Sequence, residues 1–168
     1  MENHKLSVAQ SNLKLALWNA EADSITSSQL YAEIQELGLP QEVVIRLHEL
    51  ITFTKKVTGK VYAIGKIVLL KIIEFVKAHP FLVAGAGIGA VVGAAITGLI
   101  TSIPFLGLLL APIAAVLGIT ITMIGMVLGH NLDKQFPGVG KDIAEIIQTF
   151  FSLFSDVFNT VFREVIVA

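Results

Sequence analysis

The spacing of apolar and polar positions changes several times along this chain, and each change marks a predicted element. From Ser7 to Ala22 the pattern predicts one helix, with Leu13, Leu17 and Trp18 on its apolar side. Ser27 or Ser28 is placed to cap a second, short helix running to Leu37, and Gly38 ends it. Pro40 opens a third helix carrying Val43, Val44, Ile45, Leu47, Leu50 and Ile51. Three short helices enclose only a thin core. Residues 1–54 therefore read as a small soluble helical unit that docks on the rest of the chain or on a partner.

Residues 55–79 read as one basic amphipathic helix. At about 100° per residue, Lys56, Lys60, Lys66, Lys71, Glu74 and Lys77 fall within one arc of about 140°. The opposite arc holds Val61, Ile64, Val68, Leu69, Ile72, Ile73, Phe75 and Val76. Beside a membrane span, such a helix is expected to lie on anionic lipid headgroups, with about 1 kcal/mol from each lysine. The alternative is a solvated lysine face on a helix packed against the N-terminal unit.

From Ala78 to Leu132 the chain runs 55 residues without Asp, Glu, Lys or Arg. A bilayer crossing needs about 20 apolar residues, so residues 80–130 predict a two-span transmembrane hairpin, 81–102 and 105–129. The break falls at Pro104, which disfavours helix at Ile103. Pro80 suits the first turn of span one, and Pro112 is expected to kink span two. Lysines flank both outer ends and none lies in the connecting turn, which predicts both termini in the cytoplasm. The alternative is a buried hairpin inside a globular bundle, against which the flanking segments count as too short and too amphipathic to cover both helices.

Span one carries Gly85, Gly89 and Gly93, continued by Thr97, beside a second row of Ala86, Ala90, Ala94 and Gly98. Span two carries Ala111, Ala115, Gly118, Thr122, Gly125 and Gly129. Small residues in register let helix backbones approach closely, so these seams predict helix packing: closure of the hairpin or joining of protomers into a homo-oligomer. Residues 131–168 form a linker and a C-terminal amphipathic helix. Ile143, Ile146, Ile147, Phe150, Phe154, Val157, Phe158, Val161, Phe162 and Val165 line its apolar side.

Composition sharpens this picture: 54% of residues are hydrophobic and 15% charged, against about 25% charged in a typical globular domain. The net charge of −1 is a sum of blocks. Residues 1–50 are acidic overall and residues 51–77 strongly basic, with six lysines against Glu74. There is no cysteine, which excludes disulfides and thiolate metal sites. No apolar stretch opens the chain, so no cleaved signal is expected.

Candidate chemistry is thin. Gly85-Ala86-Gly87-Ile88-Gly89-Ala90 formally fits a dinucleotide loop, but no acidic residue occurs between Glu74 and Asp133 to hold a ribose. Gly140-Lys141-Asp142 echoes a phosphate loop without its Ser/Thr. The histidines, at 4, 48, 79 and 130, lack metal-ligand spacing. His79 and His130 bracket the hairpin and form a candidate pH-sensitive pair. No ionisable residue lies inside either span, against a transporter. Catalytic residues, cofactor and metal are expected to be none, and no nucleic-acid partner is expected.

His79-Pro80-Phe81 followed by Gly85, Gly87, Gly89 and Gly93 resembles the tail of bacterial ribosome-tethering membrane proteins, over residues 79–98. In that family the span ends the chain; here a second span and a long helix follow. The resemblance implies a glycine-zipper helix in a bacterial inner membrane. An uncharged hairpin between charged amphipathic helices is also similar in design to pore-forming colicin domains.

The expected protein is an all-α integral membrane hairpin with flanking amphipathic helices. Its expected function is non-enzymatic: self-assembly into an oligomeric pore or membrane-permeabilising complex. A membrane tether or scaffold holding a cytosolic partner through residues 1–50, or a membrane-shaping hairpin, are the alternatives.

Overall fold

A computed structural model describes residues 7–57, 59–117 and 140–167. Helix α1 (Val8–Asp23) begins with a capping box: the Ser7 hydroxyl accepts from the Gln10 N–H at 3.1 Å, and the Gln10 side chain accepts from the Ser7 N–H at 2.9 Å. Helix α2 (Ser27–Glu36) repeats the device one residue earlier than the sequence suggested, with Thr26 as the cap and Gln29 as its partner. Gly38, at φ 74°, turns the chain out of α2, and α3 (Gln41–Glu49) starts after Pro40.

A 3₁₀ turn (Leu50–Thr52) leads to an antiparallel pair, β1 (Lys55–Val57) and β2 (Lys60–Tyr62), with Lys56 opposite Val61. The single basic helix expected over 55–79 is thus a hairpin followed by α4 (Ile64–Ala78). Three-residue strands are too short to show alternation, and Gly59 at φ 83° supplies the turn.

Asn19, buried on α1, holds this hairpin in place. Its Oδ1 accepts from the Ala63 N–H at 2.8 Å, and its Nδ2 donates to the Val61 carbonyl at 3.4 Å. Asn19→Leu would leave the Ala63 N–H without this partner, so a loss of about 1–3 kcal/mol is expected. Urea unfolding checks it; an unchanged midpoint would show that the clamp contributes nothing.

Next come α5 (Pro80–Ala86), α6 (Ile88–Ser102), a second 3₁₀ turn (Pro104–Leu106) and α7 (Gly107–Val116). Gly87, at φ 95°, separates α5 from α6. Every residue from Val91 to Leu99 is buried, so this central stretch of α6 is covered on all sides by protein. Helix α8 (Gly140–Val167) covers it with a phenylalanine face. Ile147, Phe151, Phe154, Phe158 and Phe162 recur at helical spacing and are all buried.

This arrangement overturns the expected integral membrane hairpin. No helix among the described residues is long and apolar enough to cross a membrane. Span one (81–102) is cut at Gly87, and the 15 residues of α6 reach about 22 Å, short of about 30 Å of hydrocarbon. Of span two (105–129), α7 holds only ten residues, and positions from Gly118 lie outside the described residues. The transmembrane, glycine-zipper and pore-forming descriptions and the bacterial inner-membrane location lose their basis with it. Within the uncharged segment, Val91–Leu99 leaves water by entering the protein core, where helices α4 and α8 pack against α6.

Candidate functional site

Among the described residues, the predicted site residues do not converge. Gly85 lies on α5, whereas Gly89, Gly93 and Thr97 lie on α6, so the break at Gly87 divides the seam between two helices. Gly93 and Thr97 are buried inside the chain, and the Thr97 hydroxyl donates to the Gly93 carbonyl at 2.9 Å. The close approach to α8 falls instead on Gly98, where a Cβ would collide with Ile147. Ala111 and Ala115 sit on α7, half-buried and exposed respectively. Gly118, Thr122, Gly125, Gly129 and His130 lie outside the described residues.

The lysines expected on lipid headgroups mostly engage protein. Lys66 donates to the Ile25 carbonyl at 2.9 Å, and Lys77 pairs with Glu33 of α2 at 2.6 Å. Lys71 pairs with Glu74 at 3.3 Å and sits 4.7 Å from the Trp18 ring centre. Lys56 and Lys60 are exposed on the hairpin, with Lys60 5.4 Å from the Tyr62 ring. The basic face of α4 thus meets the acidic N-terminal unit, the alternative that the sequence left open.

No group of histidine, aspartate and glutamate suited to a metal ion occurs among the described residues. His79 is held in an aromatic cluster, its Nδ1 2.9 Å from the Phe75 carbonyl and its ring 4.6 Å from that of Phe75. A cleft of about 430 Å³ opens between α3 and α7, lined by Arg46, Glu49, Phe53, Leu109 and Pro112 among others. Arg46 and Glu49 of this lining pair across 3.7 Å.

A surface that sequence reasoning assigned the wrong way round is more informative. Helix α1 buries Ser11, Leu15, Asn19 and Ala22. Leu13 and Leu17, each about 160° from Leu15 around the helix, point outward and are 63% and 56% exposed. Ala9 and Ala20 extend the same strip and are exposed, and Ala16 is half-buried at its border. Lys14 and Glu21 run along one border of the strip, Asn12 and Asp23 along the other. So α1 is apolar on two faces. The inner one packs on α4 and α8, with Trp18 5.3 Å from Phe154 between ring centres.

Either face satisfies helical periodicity. The polar residues decide, because Asn19 finds its partners only on the hairpin. A helix whose outer strip repeats Ala9, Leu13, Ala16 and Ala20 at spacings of four and three was the available signal. No protein-family model, curated protein or solved structure matches the chain.

Proposed function

We propose that this protein acts by association rather than catalysis, as a self-assembling helical scaffold that pairs through the outer face of α1. The observation that carries this is the strip of Leu13 and Leu17 on a helix whose opposite face is already fully packed. Isolated exposed leucines are ordinary. Two at helical spacing, continued by Ala9 and Ala20, form a seam of the kind that a second helix covers. Removing a leucine side chain from water is worth about 1.5–3 kcal/mol at full burial; the four partly exposed leucines of a pair recover part of that against about 4–15 kcal/mol for the freedom lost on association, so the complex is expected to be weak and reversible. Gly93 and Thr97 are buried inside the chain and offer no surface to a second protomer.

Sedimentation of the full chain from micromolar to millimolar concentration tests this. The wild type is expected to associate reversibly. Leu13→Glu/Leu17→Glu is expected to remain monomeric with an unchanged melting temperature, since leucine and glutamate form helix about equally well. A monomeric wild type throughout, or association indifferent to both leucines, would sink the proposal.

A further inference from the structure

We infer that the helix seated on this strip is α1 of a second copy, running antiparallel about a two-fold axis near Leu17, with Lys14 of each chain against Glu21 of the other. This rests on the association proposed above and assigns its partner and geometry. Two observations lead to it.

Lys14 and Glu21 border the strip on the same side, seven residues apart and both exposed. When two identical helices pack antiparallel, a border meets its own counterpart reversed. Positions equidistant from the axis then face each other, and 14 and 21 are equidistant from a point between 17 and 18. Each chain therefore presents a cation where the other presents an acid, twice per pair. A parallel pair sets this border against the opposite one at equal height, where Lys14 meets Asn12 and Ala16 and the acid of that border, Asp23, stands near Glu21 instead.

The apolar residues agree with the same axis to within a residue. Leu13 comes to lie beside Ala20, a large side chain against a small one, and Leu17 meets its own counterpart at the axis. A surface that is self-complementary about a two-fold axis uses itself up on pairing. The assembly consequently closes at a dimer and does not extend into a filament.

The chain has no cysteine, so single introduced cysteines report neighbours without background. In the otherwise intact full chain, Leu17→Cys is expected to cross-link to itself with a short bis-maleimide. Gln10→Cys is expected not to, because the axis places the two copies of residue 10 roughly 20 Å apart along the pair. Lys14→Glu is expected to weaken the dimer about fivefold at low salt, and adding Glu21→Lys to restore it.

Efficient self-linking of Gln10→Cys would overturn the antiparallel arrangement. A dimer that Leu13→Glu/Leu17→Glu abolishes, but in which Glu21→Lys fails to rescue Lys14→Glu, would overturn this geometry and leave the association standing. A wild type that stays monomeric, with some other segment covering the leucines, overturns both.

Discussion

Gly65→Ala is expected to destabilise the protein by about 3 kcal/mol or more, at the upper end of what one added methyl group does in a packed interior. Gly65 is the second residue of α4, and its N–H donates to the Phe53 carbonyl at 3.0 Å. A Cβ there would overlap the Leu50 carbonyl oxygen and stand 3.2 Å from the Cβ of Phe53. The obstacle at Leu50 is backbone, inside a 3₁₀ turn, so no side-chain rotation relieves it. Either the turn separates from α4 or the Gly65–Phe53 hydrogen bond is lost. For a chain of this size, such a loss lowers the melting temperature by roughly 6–12 °C.

Gly89→Ala is the matched control. Nothing lies within 4 Å of the Cβ it would add, so replacing this first-turn glycine of α6 should raise stability by at most about 0.5–1 kcal/mol. Thermal melts of the two variants separate glycine as a packing requirement from glycine as mere sequence. A Gly89→Ala that destabilised as much as Gly65→Ala would show that the open space beside Gly89 does not govern the cost of an added methyl group.

How far the sequence could be read follows from which signals are local. Ser7 and Gln10, Gly38 and Pro40 announce the ends of α1, α2 and α3, because caps and breakers act within a few residues. The phenylalanine periodicity from Phe150 to Phe162 is likewise local, and α8 buries most of that face. The uncharged segment is different. Its composition predicts burial away from water, but lipid and protein interior solvate Val91, Val92 and Ile96 equally well. What decides is cover from α8, beginning some fifty residues later, and from α4, whose lysines looked free until Glu33, Ile25 and Trp18 were placed beside them.

The β-hairpin escaped for a second reason. Lys56, Lys60 and Lys66 happen to continue the helical spacing of Lys71 and Lys77, so a strand pair was absorbed into a helix. The strip on α1 was visible as periodicity but not as direction. Leu13 and Leu17 outweigh Ser11 and Asn19 in hydrophobicity, yet the inner face is the one with Asn19, because its amide satisfies two backbone groups of the hairpin connection.

Phe158→Ala should lower stability by about 3–5 kcal/mol, the cost of emptying a fully buried phenyl site. The Phe158 ring lies 4.2 Å from Phe154, 5.1 Å from Phe162, 6.2 Å from Phe105 and 6.5 Å from Trp18, measured between centres. It thus joins α8 to α1 and to the turn before α7, and its neighbours are themselves rings that cannot collapse into the gap without leaving their own contacts. Phe158→Leu, which keeps most of the volume, should cost less than about 1.5 kcal/mol. Trp18 is the only tryptophan of the chain, so its fluorescence reads the α1–α8 contact directly. In Phe158→Ala its emission should shift to the red below the melting transition, as water gains access to the indole from the α8 side. If stability falls by the expected amount while Trp18 emission stays unchanged, the cavity is borne by the Phe105 side alone and α1 is held by Asn19 and Lys71. A red shift alongside intact dimerisation would separate the two faces of α1, with the inner one anchoring the helix and the outer one available to a second chain.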